Sequence, residues 1–154
     1  MSMHPELTLD EVADRIAIKE LIDAYAHCAD FRLPEQQADL YTTDGRTLVY
    51  EGSTAGEPAQ VLSGRNEHVA GFRTLSQFAV TMHVNAQSTI VLDGDAATAE
   101  SYCLAHHIIG AGEDRTLMVM AIRYEDTLAR TPDGWRFAER KLVTTFTDTR
   151  PSQP

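Results

Sequence analysis

VTMHVNAQSTIVL (residues 80–92) runs into the turn Asp93-Gly94-Asp95 and returns as ATAESYCLAHHII (residues 97–109). Two flanks of strand-forming residues joined by an Asp-Gly turn form the pattern of an antiparallel hairpin. Downstream, Gly110 to Asp114 reads as a loop and Leu117 to Ala129 as a third strand. Thr131-Pro132-Asp133-Gly134 turns the chain again, and Trp135 to Phe146 is a fourth strand. The tail from about residue 147 is polar and holds two prolines, so it is expected to fray.

Upstream the periodicity is helical. Thr8-Leu9-Asp10-Glu11 is a capping box, with Glu at the third helical position. Val12, Ile16, Leu21, Ile22, Tyr25 and Ala29 then recur at roughly helical spacing, predicting a helix from about Leu9 to Asp30. Leu33-Pro34-Glu35 restarts a short helix with Pro in its first turn, ending near Tyr41. Thr47 to Tyr50 reads as a strand and Glu51 to Pro58 as a loop. Ser63 can cap a third helix carrying Val69, Phe72 and Leu75. Helices first and long antiparallel strands after them make an α+β domain, expected to span residues 1–154. Long hairpins curl, and helices closing one end of the curl would leave a cone with a mostly apolar cavity.

Bulk properties narrow the function. A formal charge of −10 with no Lys/Arg cluster argues against nucleic acid as a partner. No stretch approaches the ~20 apolar residues of a membrane span. The opening MSMHPELTLDEV lacks the basic and apolar regions of a secretory signal, so a cytoplasmic location is expected, with Cys28 and Cys103 reduced. There is no CxxC, no phosphate-binding Gly loop and no GxSxG elbow. Histidine spacing does not support a metal site, and no cofactor is expected.

The residues most suggestive of chemistry are Asp30 and His83. A carboxylate at a helix end and an imidazole on a strand can meet in one pocket. Asp30 would then fix the tautomer of His83 and leave its other nitrogen free as a general base. The alternative is a His83 satisfied by backbone, with Asp30 ending its helix in solvent. Strand alternation puts Asn85 and Gln87 on the His83 face. It sends His106 and His107 to opposite faces, so only one of them can line a cavity; the parity leans to His107, and a bulge would reverse it. Tyr25 and Tyr50 are candidate hydroxyl donors. Arg140 is a candidate anion holder; read from the residues alone, an ion pair with one of the many carboxylates is the favoured role.

Taken together, these segments resemble the SnoaL-like branch of the NTF2-like superfamily, which includes scytalone dehydratase, hexachlorocyclohexane dehydrochlorinase and polyketide cyclases. The resemblance rests on Arg15 to Leu21 followed by Tyr25 and Asp30, and on Thr81-Met82-His83-Val84-Asn85. It continues through Asp93 to Ala97, Tyr124-Glu125-Asp126 and Asp133 to Phe137, spanning about residues 9–146. It implies an NTF2-like cone. It also implies an Asp30–His83 catalytic pair, with Tyr25, Tyr50, Asn85, His106 or His107, and Arg140 in substrate binding. The implied activity is a cofactor-independent lyase or isomerase acting on a small cyclic or aromatic compound: dehydration first, then isomerisation or dehydrohalogenation. The rival readings are a non-catalytic hydrophobic-ligand-binding protein and an assembly subunit of the dioxygenase kind. A homo-oligomer, dimer or trimer, fits the family and apolar outer-face residues such as Val119 and Ala121.

Overall fold

The computed structural model describes residues 6–153; the first part of the stretch read for an export signal (residues 1–5) and Pro154 lie outside it. Helix α1 spans Leu9–Asp30 and opens with the capping box, Thr8 and Glu11 bonding each other's backbone N–H. Ile18, Leu21, Ile22, Tyr25, Ala26 and Ala29 form its buried stripe. Helix α2 (Pro34–Ala38) is one short turn with Pro at its start. It stops short of Tyr41, where strand β1 (Tyr41–Glu51) begins, earlier than the sequence predicts. A short strand, β2 (Gln60–Ser63), has no periodic signal of its own and is held by antiparallel pairing to β1. Helix α3 (Gly64–Arg73) and a 3₁₀ turn (Thr74–Gln77) follow.

Strands β3 (Val80–Asp93), β4 (Ala96–Ile109), β5 (Thr116–Thr131) and β6 (Gly134–Pro151) complete one curved six-stranded sheet in the order β2-β1-β6-β5-β4-β3. All neighbours are antiparallel except β1 and β6. The expected fraying from residue 147 does not occur. Thr147 to Pro151 pair with Met120 to Thr116, so the partner strand satisfies the tail's backbone groups as far as Pro151.

Irregularities in the ladder bend the sheet. One lies between Tyr41 and Arg46, where Gly45 sits so close that an added Cβ would meet the Tyr41 Cβ at 2.9 Å. Another lies between Asn85 and Ser88. It resets the alternation, so Thr81, His83 and Asn85 face inward, as do Ser88 and Ile90, while Gln87 is exposed. This corrects the expected placement of Gln87 on the His83 face.

The concave face and α1 enclose a core centred on Ile18, Ile22, Tyr25, Tyr41, Phe72, Tyr124, Leu128 and Phe137. Burying each of the larger side chains contributes roughly 1.5–3 kcal/mol. On the outer face Met82, Val84, Leu104 and Phe146 are exposed, Val119 is half-buried and Ala121 is buried. No helix among the described residues is long and apolar enough to cross a membrane.

Candidate active site

A cavity of about 200 Å³ lies between the sheet and the helices. Its walls are largely apolar, with Phe72, Leu75, Phe78, Met120, Ile122 and Leu142 among them. The strand order places its polar groups at two ends: His83 and His107 come from β3 and β4 at one edge, Thr47 and Gln60 from β1 and β2 at the other.

At the first end Asp30 and His83 are joined. The Nδ1 of His83 lies 2.7 Å from Oδ1 of Asp30, and the His83 backbone N–H donates to Oδ2 at 2.9 Å. The Thr81 hydroxyl donates to Oδ1 at 3.0 Å and itself accepts from Nη1 of Arg32 at 2.6 Å. The carboxylate therefore accepts three hydrogen bonds, two of them from His83. The carboxylate acceptor makes Nδ1 the N–H, so in the neutral form of the ring Nε2 carries the lone pair. Nε2 has no protein partner among the described residues, and the imidazole lines the cavity with its side chain 7% exposed.

His107 stands beside it, ring centroids 6.0 Å apart and planes at 77°. It is buried, packs at 4.5 Å on Phe78, and its Nδ1 has no hydrogen-bond partner. Burial lowers its pKa below the ordinary histidine value, and the neighbouring His83 adds to that, so the neutral ring is favoured.

The other predicted residues separate. Tyr25 lines the cavity, and burial pushes its phenol pKa upward against the opposing pull of Arg140. His106 does not reach the cavity: it points outward, its Nδ1 on the Met82 carbonyl at 3.2 Å, because alternation hands the inner face to His107. Tyr50 is buried but off the cavity, since Thr47 and Val49 take the inward positions of β1. Asn85 faces α1 rather than a ligand, its Nδ2 reaching Asp23 at 2.9 Å and the Ile22 carbonyl at 3.4 Å.

Arg140 is the largest correction. It sits opposite Asp126 across the β5–β6 ladder and is fully buried. Its Nε and Nη2 both donate to that carboxylate at 2.8 Å. The rings of Tyr25, Tyr124 and Phe137 enclose the guanidinium at 4.1–4.3 Å. Burial alone would disfavour the charge; Asp126 more than reverses this and raises the pKa. The group is spent inside the core and does not line the cavity.

Sequence reading missed Thr81, Arg32, Gln37 and the far polar wall. There Thr47 Oγ1 lies 2.7 Å from the Tyr41 hydroxyl and 3.0 Å from Nε2 of His68, whose Nδ1 faces the Gly64 carbonyl. Thr81 was visible as the residue two before His83, on the same strand face. Among the described residues no three His, Cys, Asp or Glu side chains are grouped to hold a metal ion.

The family model of the SnoaL-like domain matches residues 10–141. The chain belongs to the SnoaL-like family. Its fold is the NTF2-like cone. The chain is similar to uncharacterized protein Rv2910c of Mycobacterium tuberculosis, 26% identical over 136 residues, 87% of each chain. Among solved structures it is similar to a candidate scytalone dehydratase from Novosphingobium aromaticivorans, at TM-score 0.76 and 23% identity over 93% of both chains. It is similar also to a type 2 hexachlorocyclohexane dehydrochlorinase, at TM-score 0.78 and 16% identity over 94% of both. At such identities the likeness is one of fold.

Proposed function

We propose that this SnoaL-like protein is a cofactor-independent lyase or isomerase. In this reading His83 removes a proton from carbon in a small cyclic or aromatic compound. The observation that carries it is the 2.7 Å contact between Nδ1 of His83 and Asp30, with Nε2 unpartnered on an apolar cavity. Asp30 holds the ring in the tautomer a base needs and favours the imidazolium once the proton arrives. Little water fits beside a ring in about 200 Å³, so the charge that develops meets protein dipoles rather than solvent. His107, neutral and 6.0 Å away, is suited to donate a hydrogen bond to a developing oxyanion or leaving hydroxyl. Tyr25 supports the same oxygen from the cavity wall. Dehydration uses both histidines, one as base and one at the leaving group, and is the favoured reaction; isomerisation and dehydrohalogenation use the same base.

The direct test is hydrogen–deuterium exchange at carbon. Cyclic ketones, hydroxylated rings and halogenated rings are incubated with the protein in deuterated water and followed by NMR. Exchange or elimination is expected with the native protein, and loss of about 10²–10⁴-fold with His83→Asn. Binding without exchange would leave a ligand-binding protein and sink the enzymatic reading. The exposed Met82, Val84, Leu104 and Phe146 support homo-oligomer formation through the outer face; a monomer by light scattering at micromolar concentration would oppose it.

A further inference from the structure

Beside the inner cavity is a second hollow of about 250 Å³, between the end of α1, α2 and the end of α3. The two share Ala29, Gln37 and Phe72 as a common wall, which sets this vestibule directly beside the inner cavity. Arg32 and Arg73 line it, and no carboxylate does. Arg73 is paired with Glu35. Arg32 is in no ion pair among the described residues, and Asp30 is linked to it only through the Thr81 hydroxyl.

Three features of this vestibule bear on what it could hold. The first is the backbone of Arg32. Helix α1 ends in a Schellman motif, the Leu33 N–H bonding the Cys28 carbonyl at 2.9 Å and the Arg32 N–H the Ala29 carbonyl at 3.4 Å. Position 32 is then left-handed, at φ 57°. Glycine is the usual occupant; an arginine there costs about 1 kcal/mol or more. Arg32 is the only non-glycine residue in that region among those described.

The second is the guanidinium. Its Nη1 donates to the Ala29 carbonyl at 2.7 Å and to Thr81 at 2.6 Å, and its Nη2 to the Phe78 carbonyl at 3.3 Å. Three of five N–H groups are used, two on Nη1 and one on Nη2. What remains is the Nε–H and one Nη2–H, the side edge that Arg140 uses to grip Asp126. The edge is rigidly held and bears an unpaired charge.

The third is Gln37. It is 2% exposed, lines both hollows, and its side-chain amide has no hydrogen-bond partner among the described residues. Its amide therefore has donors and an acceptor left to offer a molecule that enters either hollow.

We propose that the vestibule is a carboxylate-binding subsite, in which the free edge of Arg32 takes the two oxygens of a ligand carboxylate and the Gln37 amide bonds the same group or the atom beside it. The substrate is then a ring acid, its carboxylate in the vestibule and its ring in the inner cavity. A cavity of ~150 Å³ holds a benzene-sized molecule, so about 200 Å³ suits one or two fused rings. This subsite deepens the proposed activity and rests on it only for the identity of the reacting carbon.

The test is calorimetric binding of benzoate and 2-naphthoate against benzamide and 2-naphthamide, which match them in shape and lack the charge. The native protein is expected to prefer each acid at least about tenfold, the value of one charge-assisted hydrogen bond. Arg32→Gln should erase that preference while amide binding persists, and Gln37→Leu should weaken acid and amide together. Arg32→Gly, which suits the left-handed backbone, repeats the first measurement in a chain free of that strain. His83→Asn should keep the preference, so failed catalysis and a failed subsite give different results. Equal binding of acid and amide, no binding of either acid at millimolar concentration, or a preference surviving both Arg32 variants would overturn the subsite.

Discussion

Asp30 meets His83 at 2.7 Å and Asp126 meets Arg140 at 2.8 Å, yet the two pairs have opposite surroundings. Arg140 and Asp126 are sealed, both side chains wholly inaccessible and the cation enclosed by three rings. His83 and Asp30 sit where a helix end meets the edge strand of the sheet, one ring nitrogen anchored and the other open to a cavity. A charge pair sealed from any cavity, its shared edge bonded and the remaining Nη1 of Arg140 buried without a partner, can only hold structure. A pair with one donor consumed and one lone pair open can move a proton. The two pairs should therefore fail in different ways.

The largest expected effect is on chemistry at the open pair. His83→Asn should lower turnover of any substrate, or its carbon-proton exchange, by about 10²–10⁴-fold, with the urea midpoint little changed. Asp30→Asn should lose most of the same factor, because an amide neither fixes the tautomer nor stabilises the imidazolium. A His83→Asn protein that turns over normally would remove the contrast altogether.

At the sealed pair the effect should be on stability. Arg140→Met leaves Asp126 buried without its partner and should cost about 3–5 kcal/mol in urea unfolding. Replacing both, Asp126→Leu with Arg140→Met, should recover much of that loss, since no lone buried charge remains. If the single variant instead kept its stability and lost ligand binding, Arg140 would belong to the site after all.

The same contrast explains what the sequence could and could not reveal. The hairpin pattern, the capping box and the Asp-Gly turns are local signals, and α1 and strands β3, β4 and β5 appear close to their expected bounds. Asp30 and His83 were legible through family resemblance, and His107 leaned inward by alternation. For Arg140 the ion pair read from the residues alone holds and the anion-holding role implied by resemblance does not; its partner, Asp126, lies across a strand pair whose register no local pattern specifies. Gln87 was misplaced by one bulge. The extension of β6 past residue 147 depends on β5 alone, because its own residues are polar. Arg32 and Gln37 were invisible because their meaning lies in what they fail to contact.

A third effect appears with pH, at the groups around the two pairs. His68 and His107 are both buried with pKa values lowered below 6.5, burial being the main cause in each. On falling pH the unfolded chain takes up these protons first, so stability should decline below about pH 6.5 and stop declining once the folded-state rings protonate. His107→Gln should flatten this decline. Asp14 works in the other window. Its hydrogen bonds to Arg130 and Trp135 lower its pKa from 3.8 to about 2, so its contribution is present above pH 3.8 and lost toward pH 2. Urea midpoints taken from pH 7 to 2 check both, and a midpoint flat between pH 7 and 5 would contradict the buried neutral histidines.

The smallest effect is expected at Asn85, which shares the inward face with His83 and lies two residues away. Its Nδ2 is bound to Asp23 and the Ile22 carbonyl, so it ties β3 to α1 instead of meeting a ligand. Asn85→Ala should cost about 1 kcal/mol of stability, the usual net value of such a bond, and leave turnover and carboxylate binding unchanged. A turnover loss approaching that of His83→Asn would mean that the side chain swings into the cavity when substrate is bound. The open pair would then need a third partner, and the division between a structural α1–β3 clamp and a chemical one would fall between residues 81 and 83 rather than between 83 and 85.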